Sequence, residues 1–149
     1  MKITKIENIF VDRYLFVKVY TDAGIVGLGE SGAHGFLEPS AAVVDKFKAY
    51  LIGQNPLLIE HHWQYLYRWR HFRGAAIMGA LSAIDIALWD IMGKHFGVPC
   101  YQLMGGKVRD KARGLLPRAG GYQREADQRL HRCQAPGVHG SWASDAFPG

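Results

Sequence analysis

The sequence predicts an α+β domain, a three-stranded antiparallel meander followed by a helical bundle. Two observations carry this reading. Apolar and β-branched residues alternate within the first thirty residues with the two-residue period of half-buried strands, and from Ser40 onward the apolar positions switch to helical spacing. Strands gathered first, with helices after them, fit an α+β arrangement and not a doubly wound sheet, in which the two kinds of element alternate.

The strands fall between Ile3 and Glu30. Leu15, Val17 and Val19 alternate with Phe16, Lys18 and Tyr20, so one face of that strand is apolar. Thr21-Asp22-Ala23-Gly24 is a turn signal that joins it to the next strand as a hairpin. The connection at Asp12-Arg13 is also short, and Gly27-Leu28-Gly29-Glu30 leads out of the meander into a loop. Ser40 is a fair N-cap for a first helix with Val43, Val44, Phe47 and Leu51 at helical spacing, ended by Gly53-Gln54-Asn55-Pro56. Glu60 to Arg70 gives a second helix with Trp63, Leu66 and Tyr67 on one face. Ala75 to Phe96 gives a long third one. Its stripe is Ile77, Leu81, Ile84, Leu88 and Ile91, small Ala80, Ala83 and Ala87 permit close packing, and Gly97-Val98-Pro99 stops it.

Composition narrows the function classes. At 48% hydrophobic and 21% charged residues, the chain can build a core, so global disorder is not expected. The net charge of +5 raises nucleic acid as a partner. The basic residues are spread among acids, however, and the densest group, Arg68, Arg70, His71 and Arg73, suits a solvated helix end; no nucleic-acid partner is expected. The apolar run of the third helix is as long as a membrane span but contains Asp85 and Asp90, so a buried helix is expected and no membrane partner. Cys100 and Cys133 form no metal-binding spacing or disulfide framework. The start Met1-Lys2-Ile3 has no apolar leader, and a cytoplasmic location is expected. The adjacent His61 and His62 diverge around a helix and cannot form an i, i+4 metal pair; with His71 they suit surface or interface roles.

The run from Ala80 to Gly106, A-L-S-A-I-D-I-A-L-W-D-I-M-G-K-H-F-G-V-P-C-Y-Q-L-M-G-G, resembles the signature of the mandelate racemase/muconate lactonizing enzyme group of the enolase superfamily. Cys100 stands where that family usually has an aliphatic residue. The opening K-I-T-K-I-E, the T-D-A-G-I-V-G-L-G-E hairpin and Y-L-I-G-Q-N-P fit the same N-terminal capping domain, expected over residues 1–106, with residues 107–113 leading toward a first barrel strand. Y-R-W-R-H-F-R-G before the A-L-W-D helix is similar to acid-sugar dehydratases of the galactonate and mannonate type. The same cap serves racemases, epimerases and cycloisomerases, since fold does not fix function.

The resemblance implies a catalytic TIM barrel whose strand-end acids hold Mg²⁺ for abstraction of the proton α to a carboxylate. Those barrel residues are missing from this chain, so no catalytic or metal-binding residue is expected in it, and it is expected to be inactive alone. Intact relatives are implied to be homo-oligomers that take an acid sugar. Asp85 and Asp90 lie on the capping helix, where hydrogen bonds or ion pairs are the expected role. The resemblance further implies that two cap loops close over the barrel mouth, Asp12-Arg13-Tyr14 and Ser31 to Phe36. Arg13 offers forked donors to a carboxylate or hydroxyls, although an exposed turn arginine is equally ordinary. His34 lies between glycines and is expected to touch the sugar acid. Tyr14 is carried in the same substrate-binding set, although Tyr14 and Phe36 also suit packing. A free-standing interaction module, using apolar surface that a barrel would cover, is the reading from another class.

From Gly114 the pattern breaks. The tail to Gly149 contains no Ile, Lys, Met, Asn or Thr, and half of the six prolines fall in it. A disordered tail is one expectation for residues 114–149. The other is a one-base slip after Arg113, because codons can be chosen so that the shifted frame begins V-Y-Y-H-V and continues as barrel-like sequence. Sequencing the gene checks this: the slip requires those codons, and a tail encoded by others removes the idea.

Overall fold

The computed structural model describes residues 1–111 and the backbone of two short strand segments beyond them. β1 (Ile3–Val11), β2 (Tyr14–Thr21) and β3 (Val26–Ser31) form an antiparallel sheet in the order β1-β2-β3. The expected alternation is complete in β2, where Leu15, Val17, Val19 and Thr21 are buried and the residues between them half-buried. Register is set by pairs such as Ile6 with Val19 and Val17 with Gly29. Asp12 takes a positive φ of 50° in the two-residue β1–β2 turn, a conformation that a short polar side chain tolerates. In the β2–β3 turn Gly24 has φ 75°, and the Thr21 hydroxyl donates to the Ile25 carbonyl at 2.8 Å.

Of the three helices that follow, α1 (Leu37–Leu51) and α3 (Ala75–Phe96) pack on the sheet, and α2 (Ile59–Arg68) packs on α3. A short α4 (Cys100–Leu103) follows. The core gathers Ile3, Ile6, Val17 and Val19 of the sheet with Val44, Phe47, Leu66, Leu81, Ile84, Leu88 and Ile91 of the helices. α3 spans the residues expected from its stripe. It ends at Gly97 in the left-handed region, where the amides of Gly97 and Val98 both reach the Gly93 carbonyl. Length and composition would let α3 cross a membrane, yet Ala80, Ala83, Ile84, Ala87 and Leu88 are buried in this core. Asp90 behaves as expected, accepting from the Leu28 amide at 2.9 Å and from Lys94 at 2.6 Å. Asp85 does not, because neither a hydrogen bond nor an ion pair engages it among the described residues.

α3 touches β3 at backbone distance. A Cβ placed on Gly29 would lie 1.9 Å from the Ala83 carbonyl oxygen, and one on Gly27 would lie 2.1 Å from that of Ala87. Glycine on the strand facing alanine on the helix is therefore a steric requirement.

Two readings of the sequence are corrected. α1 begins after Phe36, which makes no side-chain cap, and not at Ser40. Pro39 is accommodated because first-turn amides need no intrahelical partner, and Ser40 is buried one turn inside the helix with no hydrogen-bond partner for its hydroxyl. His62 is a core residue and not a surface one. Its Nε2 lies 2.8 Å from the Asn55 carbonyl and its Nδ1 2.9 Å from the Tyr50 hydroxyl. A neutral ring that donates through Nε2 and accepts through Nδ1 satisfies both.

Contacts divide the chain into a unit of Met1–Gly106 and a second one beginning at Lys107. In the latter, β4 (Pro117–Arg118) pairs antiparallel with β5 (Gly121–Tyr122). The remainder of the tail, on which the frame-slip and disorder expectations fall, lies outside the described residues.

Two measurements check this account. Gly29→Ala lowers unfolding free energy in denaturant titrations by about 3 kcal/mol, whereas Gly32→Ala, with open space around it, changes it by less than about 0.5 kcal/mol. Burial holds the His62 imidazole below its ordinary value of 6.5, against the raising effect of the Asn55 carbonyl. The unfolded chain therefore binds that proton more readily. The contribution of neutral His62 is fully present above about pH 6.5 and is lost as pH falls through the lower folded value. His62→Asn flattens this part of the stability profile, and an unchanged slope contradicts the assignment.

Candidate functional site

The two loops singled out in the sequence meet at one end of the sheet. Arg13 occupies the β1–β2 turn, Tyr14 opens β2, and His34 lies in the connection from β3 to α1. Together with Gly35, Leu37 and Glu38 they line an open depression of about 560 Å³. The Arg13 Nε donates to the Tyr14 hydroxyl at 3.4 Å, and its guanidinium lies 5.6 Å from the centre of the Tyr14 ring. That ring meets the His34 imidazole edge-on, with centroids 6.1 Å apart at 73°. Tyr14 thus links the two loops physically.

The connection carrying His34 is held by its own backbone. The His34 amide donates to the Gly32 carbonyl and the Phe36 amide to that of Ala33, each at 2.9 Å, while Gly35 takes a positive φ of 79°. Gly79 of α3 seats the base of the loop. A Cβ there would lie 2.6 Å from that of Ala33 and 2.7 Å from the Ser31 hydroxyl, so a glycine lets α3 approach this corner. Phe36 is half exposed and not a packing residue of the core.

The N-cap character of Ser40 hides Leu37 and Glu38 from the sequence, because α1 begins three residues before it. Their presence alters the chemistry of the depression. With no side chain capping α1, first-turn amides open at its rim, and a helix N-terminus favours an anion. Arg13 adds forked cationic donors on one wall and His34 a ring nitrogen, while Glu38 supplies a carboxylate acceptor on another. The arrangement suits a small polar molecule with an anionic end and several hydroxyls. Among the described residues, no group of three or more His, Cys, Asp or Glu side chains is placed to hold a metal ion.

Comparison with known proteins places this domain. The family described as mandelate racemase / muconate lactonizing enzyme, N-terminal domain, matches residues 4–105. The chain belongs to this family. A D-galactonate dehydratase of Pectobacterium atrosepticum is 51% identical over 113 residues, covering 74% of this chain and 30% of that protein. Another, of Verminephrobacter eiseniae, is 45% identical over 115 residues, covering 76% of this chain and again 30% of the relative. An enolase from Agrobacterium radiobacter, solved with bound Na and L-malate, superposes with a TM-score of 0.71 at 33% identity, covering 76% of this chain and 30% of that one. The chain thus spans about a third of the length of these relatives. Within the family domain, the meander and the helices after it agree with the expected fold class.

Proposed function

We propose that this chain is the capping part of an acid-sugar dehydratase of the D-galactonate type, and that Arg13, Tyr14 and His34 face the bound sugar acid. The observation that carries the reading is their convergence, from two separate loops, on one depression beside the open end of α1. The kinship of the matched segment to D-galactonate dehydratases supports the substrate class.

The polarity of the depression orients such a substrate. Its carboxylate seats toward Arg13, whose fork matches two carboxylate oxygens. Hydroxyls further along the chain reach His34 and Glu38, since a carboxylate accepts from hydroxyls and repels a second carboxylate. These groups bind and position, and closing them over a barrel excludes water from the reacting centre. Proton abstraction and loss of the β-hydroxyl belong to residues outside this chain, as does the Mg²⁺ site that would stabilise the anion formed. The 149-residue chain is therefore inactive by itself.

A panel of sugar acids assayed with Mg²⁺ tests this. The 149-residue chain turns over none of them, whereas the protein with its barrel frame restored converts D-galactonate or a close relative to a 2-oxo acid. In that protein Arg13→Ala and His34→Ala each raise KM by about tenfold or more, the equivalent of one charge-assisted hydrogen bond, with smaller effects on kcat. An epimer of unchanged mass as product would replace dehydration with racemase or epimerase chemistry. A folded restored protein that acts on no sugar acid, or one indifferent to both substitutions, would sink the proposal.

A further inference from the structure

Two hydroxyl groups lie buried at the corner where β3 gives way to α1. Ser31, the last residue of β3, and Ser40, one turn inside α1, are both fully buried, and neither hydroxyl has a hydrogen-bond partner among the described residues. A group in that state costs free energy, and alanine fills almost the same space without the cost. Their placement supplies a reason for keeping both. A Cβ built on Gly79 of α3 would lie 2.7 Å from the Ser31 oxygen and 3.2 Å from that of Ser40. The two oxygens are therefore no further apart than two hydrogen bonds laid end to end, yet they do not bond each other directly. One water molecule spans such a gap, because it can donate to or accept from a hydroxyl at either end.

The chain between the two serines has no other anchor of this kind. None of residues 32–39 is buried, and His34 stands among them. The Ala33 methyl closes a third side of the corner, 2.6 Å from the same point on Gly79, so a side chain at position 79 would press on all three groups. A link from Ser31 to Ser40 fastens both ends of the exposed segment to one another. It thereby limits how far His34 can stray from the Tyr14 ring that it meets edge-on and lowers the conformational entropy lost when a ligand arrives.

We propose that the Ser31 and Ser40 hydroxyls hold one internal water between them, and that this polar bridge makes both serines positioning residues for His34. Neither serine touches the ligand. The water site stands on the geometry of the corner alone, whereas its effect on a substrate rests on the capping function proposed above.

A double-mutant cycle on the stability of the 149-residue chain reads the bridge. Ser31→Ala and Ser40→Ala each strand the remaining hydroxyl, and each lowers the folding equilibrium constant by about tenfold. The double variant is no less stable than either single one, since it leaves no polar group behind. Alanine is the smaller residue at both sites, so folded variants are expected. Additive losses, or single variants as stable as the parent, overturn the coupling. A crystal structure of the chain shows one ordered water bonded to both oxygens, and a direct hydroxyl–hydroxyl bond without a water overturns the site. In the protein with its barrel frame restored, the double variant raises KM for the sugar acid by about threefold or more, with a smaller change in kcat. Added to His34→Ala, it raises KM no further. An unchanged KM, or the same rise on top of His34→Ala, overturns the positioning role. A folded restored protein that acts on no sugar acid removes the capping function instead, and the cycle and the crystal structure then decide the water bridge by themselves.

Discussion

The approach of β3 to α3 is the constraint on which the rest of this domain depends. Gly27 and Gly29 bring the strand so near that helix carbonyl oxygens of Ala87 and Ala83 occupy the space where side chains would stand. Neither layer can be widened locally, since β3 is paired with β2 through Val17–Gly29 and Val19–Gly27. A methyl group at either glycine would have to displace backbone on both sides, which close-packed interiors resist. Polar ties hold the same two elements from the flank: Asp90 accepts the Leu28 amide, and Lys94 reaches both Asp90 and the Val26 carbonyl at 2.7 Å.

From that contact the position of the capping depression follows. With β3 fixed on α3, Ser31 at the end of the strand falls beside Gly79, and α1 returns so that Ser40 lies at the same point. Both serine side chains are fully buried. The four residues between Ser31 and Phe36 must cross this corner outside the packed layer, and His34 is carried out to meet Tyr14. The loop is therefore anchored at both ends by buried residues while its middle is free to present side chains. A binding group on a short, well-anchored connection has fewer conformations to lose on contact with a ligand than one on a long loop.

What the sequence made legible follows the same physics. α3 could be bounded closely because its apolar stripe, its alanines and Gly97 all reported on one element. The strands were legible through β2, whose alternation and flanking turns need no distant partner to interpret. The start of α1 was not legible. Phe36 caps it without a side-chain bond, so the familiar Ser signal pointed one turn too far, and Glu38 and Leu37 were left out of the site. The burial of His62 was equally hidden, because the groups that satisfy it, Tyr50 and the Asn55 carbonyl, come from α1 and the turn after it. Local sequence around His61-His62 carries no trace of either. Arg13, Tyr14 and His34 could be named from their loops, but their meeting is a product of the sheet register, which sets the β1–β2 turn beside the end of β3 through the Leu15–Ser31 pair.

This division of labour bears on how far the domain can speak for a reaction. Residues that define the fold, the β3 glycines, the α3 alanines and the buried stripe, lie in the contact between layers and have no access to a ligand. Residues with access, Arg13, His34 and Glu38, make no part of that contact and can be exchanged at little cost to the fold. Membership of the family is consequently written in the first set; on the proposed function, substrate preference belongs to the second, and the two need not vary together. The capping depression is open on the side away from its walls, so in the proposed function it would orient a sugar acid by one end and some hydroxyls without enclosing it. Discrimination between stereoisomers requires contacts from several directions at the reacting carbons. On the proposed function, a cap of this form would narrow the class of substrate and leave the stereochemical choice to the surface it closes upon.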